Sequence, residues 1–96
     1  MKRSSPTKLS EGIAAVLLEL GMGKKIRQYE VFNLWESIVG EQIAKVAVAE
    51  RISGSKLFVR VSRATWRNEL IFLKQELITK INRALNEEII SDIIFR

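Results

Sequence analysis

The sequence predicts an α+β fold, in which a small three-stranded sheet packs with N-terminal helices and one long helix. Between positions 57 and 62 the side chains alternate with period two, which is typical of a strand. From Trp66 onward the apolar residues recur at helical spacing instead. A β-rich run at 89–95 then supplies a last strand, which joins a hairpin made by the two preceding strands.

Length and composition are those of a folded module. The 96 residues, 47% of them hydrophobic, suffice for one domain that buries about 60 to 65% of its unfolded surface. We expect this α+β domain to cover residues 7–96, after a flexible basic lead-in at 1–6 that has little to bury. The chain has no cysteine and no histidine, which argues against structural zinc, thiol nucleophiles and imidazole-based triads.

The charge balance indicates the kind of partner. Sixteen Lys and Arg residues against 11 Asp and Glu give a formal net charge of +5, which favours nucleic acid or another acidic surface. The alternative is a solvated surface of mixed charge. The longest apolar run, 13–18, is far shorter than the ~20 residues of a membrane span, and no small-residue cleavage site follows it. We expect a cytoplasmic protein without membrane contact, which the lack of cysteine also suits.

The first helix is predicted to begin near Thr7 or Ser10, either of which can cap it, and to end at Gly21 in a left-handed turn. Its apolar residues fall within one stripe, namely Leu9, Ile13, Val16, Leu17 and Leu20.

The glycine-rich turn 21–25 is not a Walker phosphate loop, because position 18 is leucine and no Ser or Thr follows Lys24. We interpret it as a connector between helices with an exposed basic corner. That corner consists of Lys24, Lys25 and Arg27.

A second helix is predicted over 26–39, until Gly40 interrupts it, and a short helical stretch over 41–46 follows. The broad buried side of the second helix carries Val31, Phe32, Trp35, Ile38 and Val39. Residues 47–53 then read as a strand, and Gly54-Ser55 is a turn that closes a tight hairpin before the strand at 57–62.

The long helix is predicted from Thr65 to about Asn86, with Thr65 or Ser62 as the capping hydroxyl. Its core-facing positions step by threes and fours through Trp66, Leu70, Leu73, Leu77, Ile81 and Ala84. Trp35 and Trp66 each lie on the core stripe of a helix, so we interpret both as core anchors rather than as surfaces for stacking bases.

Catalysis has little support in the residue pattern. The acids are one Asp and ten Glu, and no two are spaced to project into one apolar pocket, where a carboxyl pKa is shifted for acid-base work. The sequence therefore predicts a protein that is not an enzyme and that uses no cofactor or metal.

Phe58 is the aromatic residue with two open interpretations. It lies opposite Leu57 and Val59 on its strand, on the side that also carries Arg60, and the neighbouring strand can bring Arg51 alongside. An aromatic between arginines on an open sheet face is typical of proteins that bind single-stranded nucleic acid. If helices cover that face, Phe58 is a core residue instead.

Two adjacent apolar residues, Ile71 and Phe72, depart from the stripe of the long helix. A single exposed apolar side chain means little, but two on an otherwise polar face favour contact with a protein partner.

Three patterns in the chain resemble those of a known family. Residues 35–40, with the sequence WESIVG, are followed by Ile43-Ala44, and 57–70 carry the pattern L-x-V-x-V-x(4)-W-x-x-E-L. The pattern I-x-x-I-x-F-R lies at 90–96. These resemble the two signatures and the final strand of the DciA family. The resemblance implies a domain similar to a K-homology fold and a role in bacterial DNA replication: binding DNA and helping the replicative helicase onto it without hydrolysing ATP.

We therefore expect a non-enzymatic module that binds single-stranded or duplex DNA and assists helicase loading. The residues expected to contact nucleic acid are Lys24, Lys25, Arg27, Arg51, Phe58, Arg60, Arg63 and Arg67. Ile71 and Phe72 are expected to contact a protein. Two alternatives stay open: an adaptor that binds only protein, and an RNA-binding domain, although the glycine loop by which K-homology domains clamp a nucleic-acid backbone is absent. The sequence does not indicate the oligomeric state.

Overall fold

Helices and strands follow one another in the order that the sequence predicts. The structure, a computed structural model, describes residues 11–96. Its elements are α1 (Glu11–Glu19), α2 (Gly23–Val39), α3 (Glu41–Ala44), β1 (Ala47–Ser53), β2 (Lys56–Val61), α4 (Ala64–Phe72), α5 (Lys74–Leu85) and β3 (Asp92–Phe95). The α+β class, the bounds of β1 and the break at Gly40 are confirmed. The lead-in at 1–6, Leu9 and the caps Thr7 and Ser10 lie outside the described residues.

The sheet has β2 at its centre, with β1 antiparallel on one side and β3 parallel on the other. The register places Leu57 between Ile52 and Ile93, and Val59 between Ala49 and Phe95. Since residues directly opposite one another share a face, these six side chains point the same way. Leu57 and Val59 are fully buried, so this inner face is the floor of the core.

A β-bulge interrupts the pairing of β1 with β2. Ala49 pairs with Val59 and Arg51 with Phe58, which leaves Glu50 as one extra residue on β1. Strict alternation from Ala47 and Ala49 would turn Arg51 toward the core. The bulge reverses the phase instead, so that Ile52 faces the core and Arg51 faces outward.

The helices pack on the inner face and complete one core. Their buried side chains are Val31, Trp35 and Val39 of α2, Leu70 of α4, and Leu77, Ile78, Ile81 and Leu85 of α5. The indole N–H of Trp35 donates to the carbonyl oxygen of Ala47 at 2.9 Å, which ties α2 to the start of β1. Trp35 is thus a core anchor as predicted, whereas Trp66 is only half-buried.

The helix between β2 and β3 differs from the prediction. A single helix to about Asn86 is wrong, because Leu73 (φ −95°, ψ 5°) separates α4 from α5. Its N–H donates to the carbonyl of Leu70, three residues back, and this tighter turn rotates the stripe that follows. Ala84 is consequently exposed, while Ile78 and Leu85 are buried.

Other local predictions are also corrected. The N-cap of α4 is Arg63 without a side-chain hydrogen bond, so neither Ser62 nor Thr65 caps it, and Thr65 lies inside the helix. In α2, Phe32 and Ile38 are half-buried, although Ile38 still packs against the core, and Gln28 is buried as well. Gln28 meets its hydrogen-bonding need by donating to the carbonyl of Gly54 at 2.7 Å.

The first helix is also more exposed than its apolar stripe suggests. Ile13, Val16 and Leu20 are each more than half exposed, as is Leu18 on the same helix. Since α1 meets only α2 among the described elements, the core beneath the sheet does not cover these four side chains. Within residues 11–96, the structure contains no helix long and apolar enough to cross a membrane.

The run at 89–95 forms a strand only from Asp92. Asn82 explains the shortening, because its Oδ1 accepts from the N–H groups of Ile89 and Ile90, and its Nδ2 donates to the Ile90 carbonyl, all at 2.9 Å. Ile89 and Ile90 are buried, so these backbone groups have little access to water. The side chain therefore supplies the partners that a neighbouring strand would otherwise give.

We predict that Asn82→Ala lowers the free energy of unfolding by about 2 kcal/mol or more, because it leaves the buried N–H and carbonyl groups of Ile90 without their Asn82 partner. Urea denaturation followed by far-ultraviolet circular dichroism measures the change, as a lower midpoint at an unchanged slope. Lys80→Ala, an exposed change on the same helix, is the matched control and should shift the midpoint little. Equal midpoints for the two variants would contradict the role given to Asn82.

Candidate nucleic-acid interface

The sheet face opposite the core carries the arrangement of interest. We call it the outer sheet face and define it by Val48, Arg51, Phe58, Arg60 and Ile94, which oppose one another in the strand register. None of the five is buried, and Val48, Arg51 and Arg60 are exposed. Phe58 is half-buried on this face, and therefore lies outside the core between sheet and helices.

Phe58 is in contact with two guanidinium groups. The Arg51 guanidinium carbon lies 3.9 Å from the centroid of the Phe58 ring, and that of Arg96 lies 5.5 Å from it. Both distances are in the range of cation-π attraction, worth about 0.5–1 kcal/mol at exposed sites. The Arg51 guanidinium therefore lies over the Phe58 ring, and because Arg51 is exposed its cationic group is also accessible from solvent.

Glu50 organises the remaining cations of this face. Its Oε2 accepts from Nε of Arg60 at 2.6 Å, and its Oε1 accepts from Nη2 of Arg96 at 3.4 Å. The hydrogen bond from Arg60 is the main cause that lowers the pKa of Glu50 below its ordinary value; burial opposes it, and Arg96 adds to it. Each guanidinium uses one N–H donor here and keeps others for a further acceptor.

Arg96 was not among the residues expected to contact nucleic acid. The sequence indicates that Arg96 follows the last strand, but it does not indicate which strand pairs with that last strand. Its N–H donates to the Val59 carbonyl at 2.9 Å, and its carbonyl accepts from the Val61 N–H at 2.7 Å. The parallel pairing with β2 thus carries Arg96 to the outer sheet face. Three guanidiniums against one carboxylate leave a positive surplus there.

The other predicted contacts fall in separate places. Lys25 lines a groove between α2 and β1 together with Arg51. Lys24 and Arg27 line another groove, where Nε of Arg27 lies 3.4 Å from an oxygen of Glu87. At the start of α4, Arg63 is exposed and Arg67 is half-buried, with no hydrogen-bond partner at its Nε. The structure therefore brings together Arg51, Phe58 and Arg60, with Lys25 next to Arg51, and separates the rest.

Ile71 and Phe72 lie at the end of α4, immediately before the break at Leu73. Ile71 is 51% exposed and Phe72 is 87% exposed, whereas Leu70 is buried in the core. Because the chain turns into α5 at this point, both apolar side chains stand at a corner of the molecule. Among residues 11–96, no three acidic side chains come together in a way that could hold a metal ion.

Comparison with known proteins assigns the chain to a family. Residues 8–95 match the family model described as "Dna[CI] antecedent, DciA". The chain belongs to the DciA family. A search of the curated proteins found no match. DciA proteins are related to the loading of the replicative helicase, so a role connected with helicase loading in DNA replication follows for this member.

The residues that carry the DciA resemblance are mostly structural in this member. Trp35, Val39, Leu57 and Leu70 are buried, and so are the other strand positions of the second pattern, Val59 and Val61. By contrast, Phe58 and Arg60 occupy the variable positions of that pattern and lie on the outer sheet face. The family patterns therefore identify the fold, and the residues between them form the candidate interface.

The ion pairs of Glu50 predict a pH dependence of stability in this DciA protein. Because its pKa is lowered in the folded state, the carboxylate stabilises the fold fully above about its ordinary pKa of 4.5, and this contribution is lost as the pH falls through the folded value. We expect Glu50→Gln to be less stable than the unmodified chain at about pH 7, with a difference that shrinks toward about pH 3.

Urea midpoints measured across that range test the dependence. The matched control is Glu36→Gln, since Glu36 is exposed and has no ion pair among the described residues. A Glu50→Gln difference that stays constant with pH would show that the carboxylate contributes through shape rather than charge.

Proposed function

We propose that this DciA family member binds DNA through its outer sheet face and assists recruitment of the replicative helicase onto that DNA, without an enzymatic step of its own. The observation that carries the proposal is the Arg51 guanidinium lying over Phe58, 3.9 Å from the ring centroid, on a sheet face whose Val48, Arg51 and Arg60 are exposed. Arg60 and Arg96 lie beside it and supply N–H donors for phosphates.

The chemistry of the stack suits nucleobases. A base can stack on the free side of the Arg51 plane, since every base has a π face and guanidinium planes stack on it without regard to sequence. Arg60 and Arg96 are oriented by Glu50 and keep N–H donors for phosphate oxygens. We therefore expect binding that depends weakly on sequence and strongly on salt, because phosphates neutralised by arginine release counterions.

The choice of DNA rests on family membership, since DciA proteins act in replication. An RNA-binding domain is the competing hypothesis, because stacking and phosphate contacts serve either nucleic acid. If RNA displaces DNA from the protein at equal concentration, the RNA hypothesis is preferred.

We predict that Arg51→Ala weakens binding of labelled single-stranded DNA by about tenfold or more, since stacking is worth about 1–3 kcal/mol per base. Phe58→Leu should weaken it similarly, because leucine fills the site but has no π face to hold the guanidinium by cation-π attraction. Fluorescence anisotropy at one fixed salt concentration measures both.

The matched control is Lys80→Gln, which removes one exposed positive charge from the helical layer. A control loss equal to that of Arg51→Ala would mean that net charge, and not the outer sheet face, governs affinity. Absence of any binding to single-stranded or duplex DNA at low salt would refute the DNA half of the proposal.

A second observation favours a separate protein contact. Phe72 and Ile71 expose apolar surface at the corner after α4, and the family's relation to the helicase indicates the partner that would cover them. We propose that this corner contacts the replicative helicase. If the protein works through this corner alone, it is an adaptor that binds the helicase without binding DNA.

We predict that Phe72→Ala reduces capture of the cognate replicative helicase on the order of tenfold, since burying such a side chain is worth about 1.5–3 kcal/mol. A pull-down of purified proteins treated with nuclease measures this, with circular dichroism as the check of folding. Leu20→Ala, another exposed apolar change, is the control. Undiminished capture by folded Phe72→Ala would place the helicase contact elsewhere.

A further inference from the structure

We infer that the nucleic-acid site continues past the outer sheet face, over the edge of the sheet at β1, into the groove between α2 and β1. There Lys25 and Arg51 bind a phosphodiester group and Tyr29 stacks on a base. This inference rests on the proposed function and extends it to a second position along the same strand of nucleic acid. The groove measures about 270 Å³ and is lined by Lys25, Gln28, Tyr29, Phe32, Glu50, Arg51 and Ile52.

The walls of the groove are held in place. β1 is an edge strand, and α2 lies along it without a strand between them. Gln28 of α2 is buried and donates to the Gly54 carbonyl at 2.7 Å, which fixes the helix against the β1–β2 turn. The groove is therefore a preformed feature of the fold, and a ligand need not order it first.

Two cations in this groove are not paired with a carboxylate. Lys25 and Arg51 are both exposed, and neither forms an ion pair with any described residue. Glu50 also lines the groove, but its two oxygens are engaged by Arg60 and Arg96. By contrast, Arg27 in the neighbouring groove is paired with Glu87.

An aromatic pair provides the stacking surface. Tyr29 is 44% exposed, and its ring meets that of Phe32 edge to face, with centroids 6.2 Å apart and planes at 66°. Phe32 is half-buried, so it supports the Tyr29 ring from the protein side. The exposed part of Tyr29 is then available to a base next to the phosphate that Lys25 and Arg51 bind.

Arg51 joins the two positions. Its guanidinium lies on Phe58 of the outer sheet face and also lines the groove. A ligand that occupies both must turn around the edge of β1. A single strand of nucleic acid makes such a turn easily, whereas duplex DNA is stiff over distances shorter than its persistence length of about 50 nm. The extended site therefore fits single-stranded nucleic acid.

The test compares single-stranded oligonucleotides of about 6 and about 18 nucleotides, which lie near the limits of known single-strand site sizes. Fluorescence anisotropy is measured on the full chain and on Lys25→Gln and Tyr29→Leu. We expect both variants to bind the long oligonucleotide about tenfold more weakly and the short one within about twofold of the unmodified chain, because the short one is accommodated on the outer sheet face alone.

The matched control is Lys80→Gln. Lys80 has the same charge as Lys25 and is exposed, but it lies in α5 and does not line the groove. Binding of either oligonucleotide to this variant should stay within about twofold of the unmodified chain. A loss equal to that of Lys25→Gln would assign the effect to diffuse charge and overturn the inference.

A second measurement uses the unmodified chain, so it does not depend on how a variant folds. A long oligonucleotide that contains 5-bromodeoxyuridine is crosslinked by ultraviolet light, and mass spectrometry maps the crosslinked residue. Crosslinking at Tyr29 supports the inference, and crosslinking confined to other residues overturns it.

The variants separate this inference from the proposed function. If Arg51→Ala weakens binding while Lys25→Gln and Tyr29→Leu do not, the inference about the groove is wrong and the proposed function stands. If the unmodified chain binds neither oligonucleotide, both fail.

Discussion

β1 carries one residue more than β2 can pair with, and that residue is Glu50. The resulting change of phase turns Arg51 from the core side to the side of Phe58 and turns Ile52 inward. Glu50 itself then lies where its carboxylate reaches Arg60 and Arg96. One inserted position thus protects the core from a buried guanidinium and concentrates the cations on the opposite face.

The core and the interface are built from different residues of the same strands. Leu57, Val59 and Val61 of β2 are buried, while Phe58 and Arg60 between them face outward. Side chains that bond to backbone groups position the surrounding elements: Trp35 reaches Ala47, and Gln28 reaches Gly54. Because these hydrogen bonds hold helix to sheet, we expect a substitution in the core to shift the outer sheet face, even though the substituted residue does not lie on that face.

Period-two and helical patterns were enough to predict the α+β class and β1, because burial on one face leaves a direct mark in the sequence. The turn at Gly54 was predicted from its Gly-Ser pair, and the family from the resemblance of three residue patterns to known signatures. The break at Leu73 left no such mark, since no Gly or Pro accompanies it. The shortening of β3 likewise depends on Asn82, a contact between distant positions. For the interface, alternation placed Phe58 and Arg60 on one side, and the hairpin suggested that Arg51 lies alongside them. The bulge that turns Arg51 to this face and the strand order that adds Arg96 are properties of pairing.

The parallel pairing of β3 with β2 also bears on when the interface comes into being. β1 and β2 are joined by a short turn and can pair as soon as both have left the ribosome, whereas β3 is synthesised only after α4 and α5. Until then one edge of β2 lacks its partner, and Glu50 has Arg60 but not Arg96. Such late, long-range closure is slow compared with hairpin formation. The complete cationic face is therefore a property of the finished fold, and a nascent or partly unfolded chain does not present it.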